Sequence, residues 1–399
     1  MRISKGAGLL IGGLIGFVAL LLLMAVIVYP PAYVYRVLAW RESDAFDWQK
    51  FPAHELTAAP EPYHFESRPD PRVAALFEEL SGVPDWNTFL AENDTQAFIV
   101  IQDGTVLYET YFNGAQRDSI VTSFSVAKSF VSALIGVAIK DGYIDSVDDP
   151  VTLYLPELAE RDERFNQITL RHLLLMASGL EYREFRPLLL NGDDPLTTYY
   201  PDQRQLALEN THIIEQPARH FLYNKYHPQL LGMVLERATG RTVTDYLQEK
   251  IWNPAGMEFG GSWSTDSKAS DFEKMETGLN ARAIDFAKFG ELFLNGGLWR
   301  GEQVIPKEWV SESTGPQISY NDSYYSEWFA TLPGKAYYSY MWWGAERPEG
   351  AYDFAAKGDK GQYIYVSPAK RLVIVRNGID YGAPAEEWDT LLFEFASRW

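Results

Sequence analysis

The pattern of apolar and polar positions separates the chain into one long apolar run near the N-terminus and a body in which shorter patterns alternate. Residues 7–28 contain neither a charged residue nor a proline. At the rise of an α-helix this run covers about 33 Å, which is enough to cross the roughly 30 Å hydrocarbon core of a bilayer. We therefore expect a single membrane-spanning helix over these residues.

The residues that flank the run predict its orientation. Arg2 and Lys5 precede it, which favours a cytoplasmic N-terminus and places the rest of the chain on the periplasmic or extracellular side. The alternative is a cleaved signal peptide, but the exit Tyr29-Pro30-Pro31 contains no small-x-small cleavage pattern. We expect an uncleaved anchor and a single-pass membrane location.

Gly8, Gly12 and Gly16 fall on one face of the expected membrane helix. A face of small residues lets two membrane helices approach closely, so an anchor-mediated dimer is one interpretation. Glycine is also frequent in membrane helices generally. The sequence leaves both interpretations open.

Residues 30–71 have the composition of a tether. Five prolines lie between Pro52 and Pro71, and proline-rich segments are semi-extended spacers. Aromatic side chains such as Trp48 and Phe65 indicate that part of the segment packs on the body as a collar. The predicted parts of the chain are an anchor (1–29), a tether and collar (30–71) and a globular body (72–399).

Short patterns in the body predict two lobes. β-Rich runs cover 97–102, 105–112, 362–366 and 371–377, and helical spacing covers 125–140, 170–177, 229–238 and 386–399. Strands at both ends predict an α/β (α+β) fold, in which an antiparallel sheet flanked by helices is built from about 72–124 and 260–399. A mainly helical lobe is expected over about 125–259, and the cleft between the lobes is the expected ligand site.

Composition narrows the possible functions. The chain has 35 Lys and Arg against 54 Asp and Glu, and its net charge of −19 argues against nucleic acid, whose phosphates are bound by clustered cations. The absence of cysteine excludes thiol nucleophiles, disulfides and Cys-ligated metals. The six histidines show no metal-ligand spacing, and no phosphate-binding or dinucleotide-binding glycine motif occurs. We therefore expect no metal and no cofactor.

The clearest chemical pattern is Ser125-Val126-Ala127-Lys128. Serine in the first turn of an apolar helix and lysine three residues later share one helix face. A serine hydroxyl is a poor nucleophile until a nearby base takes its proton, and a desolvated lysine can serve as that base. The pattern alone is equally compatible with a helix cap followed by a surface lysine.

Five segments follow one another in the body in a distinctive order. They are residues 122–130, which contain the S-x-x-K pattern, and residues 144–151, 168–180, 221–240 and 278–290. In order and content they resemble the serine β-lactamase and penicillin-binding-protein superfamily, in its class C β-lactamase-related branch. The resemblance spans about residues 95–395 and implies a β-lactamase/transpeptidase-like fold.

The resemblance also implies roles for individual residues. Ser125 matches the acylated nucleophile, and Lys128 matches the residue that helps to deprotonate it. Tyr223 matches the tyrosine that relays a proton to the leaving group. The oxyanion hole would consist of the backbone N–H groups of Ser125 and Asp359.

Two motifs depart from the family pattern. The tyrosine motif is usually Tyr-x-Asn, but here Lys225 stands in the third place, and Asn224 is the other candidate for the substrate-binding amide. In the third motif Ala356 replaces the usual Lys or His, so Lys357 or Lys360 would have to supply the cation. The predicted substrate-binding residues are Asn224, Lys225, Lys357 and Gly358.

These departures favour the esterase and amidase members of the branch, which include 6-aminohexanoate-dimer hydrolases. The expected function is that of a membrane-anchored serine hydrolase that cleaves a small-molecule or peptide-like amide or ester. The first alternative is a D-alanyl-D-alanine carboxypeptidase or β-lactamase, against which Ala356 argues. The second is a non-catalytic sensor on the same fold, against which the presence of Ser125, Lys128 and Tyr223 argues.

Overall fold

A computed structural model of the protein describes residues 16, 20, 22–184, 190–316 and 329–399. The predicted membrane helix over 7–28 lies mostly outside these residues. Residues 22–28 are helical. Within the described parts of the chain, no helix combines the length and the apolar character that crossing a bilayer requires.

The described helices are α1 (Pro31–Trp40), α2 (Arg72–Ser81), α3 (Trp86–Glu92), α4 (Ala127–Lys140), α5 (Pro156–Arg161), α6 (Leu170–Leu174), α7 (Asp193–Tyr199), α8 (Gln203–Asn210), α9 (Tyr226–Thr239), α10 (Val243–Leu247), α11 (Ala283–Leu294), α12 (Lys307–Thr314) and α13 (Ala385–Arg398). The described strands are β1 (Ala53–Leu56), β2 (Glu66–Ser67), β3 (Thr95–Gln102), β4 (Thr105–Tyr111), β5 (Val121–Thr122), β6 (Gly261–Ser264), β7 (Leu279–Ala281), β8 (Leu298–Trp299), β9 (Glu302–Gln303), β10 (Lys335–Tyr338), β11 (Trp343–Glu346), β12 (Tyr352–Gly358), β13 (Gln362–Ser367) and β14 (Leu372–Gly378).

An eight-stranded sheet forms the larger lobe. Its order is β10-β11-β12-β13-β14-β3-β4-β2. Neighbouring strands are antiparallel except for β2 and β4, which are parallel, so the sheet is mixed where a purely antiparallel one was expected. A turn at Asp103-Gly104 joins β3 to β4, and both residues have the positive φ that such a turn requires. The predicted α/β fold is confirmed.

Helices cover both faces of this sheet. On one face lie α2, α3 and α13, where the Phe77 ring stacks on those of Trp86 and Phe395 at centroid distances of 4.5 and 4.0 Å. On the other face α11 approaches so closely that a Cβ on Gly290 would lie 2.7 Å from Val373 Cγ1. Strands buried on both faces carry apolar residues at consecutive positions, as β3 and β14 do.

Helix α4 is the central helix of the other lobe. Residues 127–138 are all buried, which explains why this helix is apolar on every side. Gly136 permits its packing, because a Cβ there would lie 2.3 Å from Cγ of Trp309 on α12. The helix predicted to start at Ser125 begins at Ala127 instead, after a 3₁₀ turn over Phe124–Val126.

The segment that precedes the body is built into it. Strand β1 pairs with β6 in a second sheet of order β1-β6-β7-β5. Helix α1 docks through Tyr33, whose hydroxyl donates to the Leu190 carbonyl at 2.7 Å, and through Arg36, which donates to the Tyr199 carbonyl at 3.0 Å. The predicted collar therefore includes α1 and β1, and most of residues 30–71 pack on the body. The boundaries at residues 29 and 71 stay a prediction.

His54 fastens β1 to the body through two carboxylates. Its Nδ1 lies 2.9 Å from Oε1 of Glu273, which is fully buried, and its Nε2 lies 3.1 Å from Oδ2 of Asp271. The hydrogen bond to Glu273 outweighs partial burial and, with the Asp271 bond, raises the pKa of His54 to about 9. The charged imidazolium is therefore the form that holds the collar.

We expect the contribution of His54 to stability to disappear in alkaline solution. A pKa that is raised in the folded state stabilises fully below the unfolded value of about 6.5 and is lost as the pH rises through the folded value. The difference in Tm between the wild type and His54→Gln should be largest at pH 6 and should shrink towards pH 10. The exposed His212→Gln is the matched control. A difference that does not change between pH 6 and pH 10 would contradict this account.

Candidate active site

Ser125 lies in the 3₁₀ turn between β5 and α4. Phe124, directly before it, has a φ of +46°, a left-handed conformation that costs a non-glycine residue about 1–2 kcal/mol. The turn is held from behind, because the Ser123 N–H donates to the Leu279 carbonyl of β7 at 2.9 Å. The Ser125 side chain is partly exposed and lines a cleft of about 970 Å³.

Lys128 lies in the first turn of α4, next to the Ser125 side chain, and is almost completely buried. Its Nζ donates to Ser125 Oγ at 2.7 Å and to the Glu276 carbonyl at 2.8 Å. Burial, followed by the positive charge of Lys225, lowers the pKa of Lys128 to about 7, although Glu276 and Asp194 oppose this change. A large fraction of Lys128 is therefore neutral near neutral pH, and its lone pair can accept the serine proton.

Tyr223 completes the group of predicted catalytic side chains. The centroid of its ring lies 5.1 Å from Lys128 Nζ. The ring stacks on Trp343 at 5.7 Å and meets the edge of Tyr338 at 6.2 Å, both measured between centroids. The structure thus brings Ser125, Lys128 and Tyr223 together.

The end of β12 lies against the nucleophile turn. A Cβ on Gly358 would lie 2.4 Å from the Ser123 carbonyl oxygen, so only glycine permits this approach. Ser125, Gly358 and Asp359 line the same cleft. The oxyanion hole predicted from the backbone N–H groups of Ser125 and Asp359 stays a prediction.

The two candidates for the substrate-binding amide lie in different environments. Asn224 is fully buried, accepts the Tyr226 N–H at 2.9 Å and donates to the Leu180 and Glu181 carbonyls at 3.4 Å. A buried amide of this kind cannot touch a substrate in this conformation, so its placement gives no support to the substrate role predicted for Asn224. Adjacent Lys225 does line the cleft.

Lys225 is held by a carboxylate of the protein itself. Its ammonium contacts Asp194 Oδ1. Burial disfavours the charge, but Asp194 outweighs it and raises the pKa of Lys225. Lys225 is therefore a stable positive charge at the cleft, and this charge acts on the nearby Lys128.

The lysines near the third motif are also ion-paired. Lys357 Nζ lies 2.5 Å from Oδ2 of Asp389 on α13, and Lys360 Nζ lies 3.4 Å from Oδ2 of Asp380. Both lysines line the cleft, whereas Ala356 is buried. A substrate carboxylate would have to compete with Asp389 or Asp380 for either cation.

Two features in and around the cleft were not predicted from the sequence. Glu276, whose carbonyl accepts from Lys128, is fully buried and paired with Lys274 at 2.8 Å. Burial acts against its charge, but Lys274 outweighs burial and lowers the pKa of Glu276. In the sequence, the only indication of a role for Glu276 was its position two residues before the 278–290 segment. The second feature is the end of α1, which lines the cleft through Val37 and Leu38.

In the described part of the chain, no group of three or more His, Asp or Glu side chains is arranged to hold a metal ion. Ser125, Lys128 and Tyr223 can supply a hydroxyl nucleophile, a neutral amine and a phenol.

Comparison with known proteins covers most of the chain. Residues 91–378 match the Beta-lactamase family. The chain is 25% identical over 359 residues to the 6-aminohexanoate-dimer hydrolase of Paenarthrobacter ureafaciens, a similarity that covers 85% of this chain and 86% of that protein. A shorter similarity, 32% identity over 171 residues, covers 40% of this chain and 31% of a D-aminopeptidase from Brucella anthropi.

Solved structures agree with the fold. A protein described as a 6-aminohexanoate-dimer hydrolase from Bacillus anthracis superposes with a TM-score of 0.73 at 23% identity, covering 88% of this chain and 92% of that one. A class C β-lactamase superposes with a TM-score of 0.60 at 16% identity, covering 82% and 96%. At these identities the likeness concerns the fold alone.

The family match and the relatives named as hydrolases confirm both the resemblance seen in the motifs and the predicted enzyme class. The chain therefore belongs to the Beta-lactamase family and is a serine hydrolase of the β-lactamase and penicillin-binding-protein-like superfamily.

Proposed function

We propose that the protein is a membrane-anchored serine hydrolase that cleaves an amide or ester bond through an acyl intermediate on Ser125. One observation carries the proposal: a buried lysine with a pKa of about 7 lies 2.7 Å from the hydroxyl of Ser125. A lysine in this state is a base matched to neutral pH, and its Nζ is already within hydrogen-bond distance of the nucleophile.

The proposed reaction has two steps. Lys128 takes the hydroxyl proton of Ser125 while Oγ attacks the substrate carbonyl, and the N–H groups of Ser125 and Asp359 stabilise the oxyanion. The bond to the leaving group breaks as Tyr223 relays the proton from Lys128 to the departing amine or alcohol. Water then attacks the acyl-serine ester, which releases the acid and returns the proton to Ser125.

The charges in the cleft favour a substrate without a carboxylate next to the scissile bond. Lys357 and Lys360, the two lysines that could replace the missing cation of the third motif, are already paired with Asp389 and Asp380. A relative that matches 85% of this chain is named a 6-aminohexanoate-dimer hydrolase, which supports linear amides and their ester counterparts as the substrate class. The carboxypeptidase and β-lactamase alternative lacks the free cation that would bind its substrate carboxylate.

We also propose that residues 7–28 anchor the enzyme with its body outside the cytoplasm.

Removing the nucleophile or its base should abolish acylation. We expect Ser125→Ala to eliminate covalent labelling by a fluorophosphonate probe, and Lys128→Met to slow it by about 10²–10⁴-fold, the usual contribution of a positioned base. Labelling is measured by intact-protein mass spectrometry, and turnover is measured with a panel of small esters and amides.

Ser132→Ala is the matched control for these variants. Ser132 is buried on the same helix, and its hydroxyl has no partner among the described residues. This variant should label like the wild type. Labelling that persists in Ser125→Ala would show that Ser125 is not the nucleophile. Wild-type protein that is labelled but turns over no ester or amide would favour the sensor alternative.

Replacing Lys225 by the usual family residue should shift the pH dependence of acylation. In Lys225→Asn the positive charge that lowers the pKa of Lys128 is lost, and Asp194 is left to raise it. Because the base must be deprotonated, the rise of labelling rate with pH should move to higher pH. At pH 7 the rate should fall about three- to tenfold, since each pH unit of displacement is a factor of ten in the neutral form.

The double variant Lys225→Asn/Asp194→Asn separates charge from structure. It removes both opposing charges, so its pH profile should return towards that of the wild type. A profile of Lys225→Asn that is unchanged, or that moves to lower pH, would contradict the electrostatic account of Lys128.

A further inference from the structure

The cleft has one wall that the proposed mechanism does not use. The wall comes from the end of α1, where Val37, Leu38 and Arg41 line the same cleft as Ser125 and Tyr223. These residues precede the family match by about fifty positions. The wall is therefore built from residues outside the family match, and it borders the cleft that contains Ser125.

Helix α1 is firmly seated in this position. Tyr33 is fully buried, and its hydroxyl bonds the Leu190 carbonyl at 2.7 Å. The Trp40 ring meets the edges of Phe51 and Tyr199 at centroid distances of 5.1 and 5.9 Å. Aromatic packing and hydrogen bonds thus hold α1 as one wall of the cleft.

The outer face of α1 is apolar, which is unusual for a helix with one face docked on a protein. Its exposed residues are Pro31, Ala32, Tyr35, Leu38 and Ala39. Tyr35 is 63% exposed and Leu38 is 46% exposed. The only charged residue of the helix, Arg36, turns inward over the rings of Trp40 and Phe51. A surface helix normally presents polar residues outward, so this face fits an apolar surrounding.

The helix that carries this apolar face follows, in the chain, the segment that we propose as the anchor. Ile27 and Val28, at the end of the helical residues 22–28, are 73% and 69% exposed, and α1 begins at Pro31. From Pro31 to Leu38 the helix rises about 10 Å. The headgroup layer on each side of a bilayer core is about 5–8 Å thick. With the proposed anchor in the bilayer, Leu38 at the cleft is then no more than about 10 Å from the start of α1, and the cleft opens near the surface of the membrane.

We propose that the substrate is a membrane-borne amphiphile, an ester or amide with a long apolar chain, that enters from the bilayer along the outer face of α1. Its chain passes Leu38 at the mouth, and its carbonyl reaches Ser125 inside the cleft. The inference rests on the proposed function, because it assigns a substrate class to the same acylation chemistry. It accounts for an apolar helix face that leads into an active-site cleft.

The source of the substrate is tested with the full chain reconstituted in phosphatidylcholine vesicles. The probes are 4-methylumbelliferyl palmitate, which stays in its bilayer, and 4-methylumbelliferyl acetate, which is dissolved in water. We expect palmitate to be cleaved at least tenfold faster when it is in the same vesicles as the enzyme than when it is in separate vesicles. Equal rates in the two arrangements would indicate a dissolved amphiphile and would overturn the membrane-borne source.

The path past α1 is tested by Leu38→Ser, with Leu153→Ser as the matched control. Leu153 is exposed and lies in the 3₁₀ turn Val151–Leu153, outside the residues that line the cleft. Leu38→Ser should lower the ratio of kcat/KM for palmitate to that for acetate about fivefold, since losing the burial of about one methylene group has an effect of this size. Leu153→Ser should leave the ratio unchanged.

The possible failures are distinguishable. If acetate is cleaved in a Ser125-dependent manner but palmitate in the same vesicles is not, the proposed function stands and the inference is wrong. If Leu38→Ser leaves the ratio unchanged, the path along α1 is wrong. If neither ester is cleaved and Ser125 is not labelled, the proposed function fails and the inference fails with it.

Discussion

The burial of Lys128 is the constraint on which the rest of the site depends. Its two hydrogen-bond acceptors, Ser125 Oγ and the Glu276 carbonyl, are both uncharged. An ammonium without a bonded carboxylate is costly to bury, so the proton is held weakly and the pKa falls to about 7. The neighbouring charges adjust this value: Lys225 lowers it, while Glu276 and Asp194 raise it. Each of these charges is held by a partner, Lys225 by Asp194 and Glu276 by Lys274.

The fold excludes solvent from Lys128 and leaves Ser125 accessible from the cleft. Helix α4 is buried along residues 127–138, which places Lys128 inside while Ser125, one turn earlier, stays at the cleft. The short second sheet holds the turn from behind through the bond from Ser123 to Leu279. Gly358 lets β12 close on the turn from the other side. The left-handed Phe124 is tolerated because both neighbouring elements fix the backbone around it.

Local patterns predicted the elements whose environment is uniform. The strands β3 and β14 and the helices α4, α9 and α13 lie within a few residues of their predicted bounds, because each is buried along one face or all round. The spacing of Ser125 and Lys128 determines their shared helix face, so this pair could also be predicted. The boundary at Ser125 was missed because a 3₁₀ turn has no periodic signal of its own.

Tertiary contacts decided what local patterns could not. Asn224 and Lys225 are adjacent and both polar, and only the packing of the turn before α9 sends the first inward and the second into the cleft. Lys357 finds its carboxylate partner thirty-two residues later on α13, which no spacing rule connects. The docking of α1 likewise depends on aromatic partners in α7 and near β1, far away in the sequence. Through this docking, α1, which the sequence places in the tether and collar, forms one wall of the cleft.

The central claim is that Lys128 is substantially neutral near pH 7. It is tested most directly by an NMR titration of protein labelled with ¹³Cε-lysine, in which the Lys128 signal is assigned from its loss in Lys128→Met. We predict that this resonance titrates with a midpoint near pH 7. A midpoint near the ordinary lysine value of about 10.4 would contradict the account.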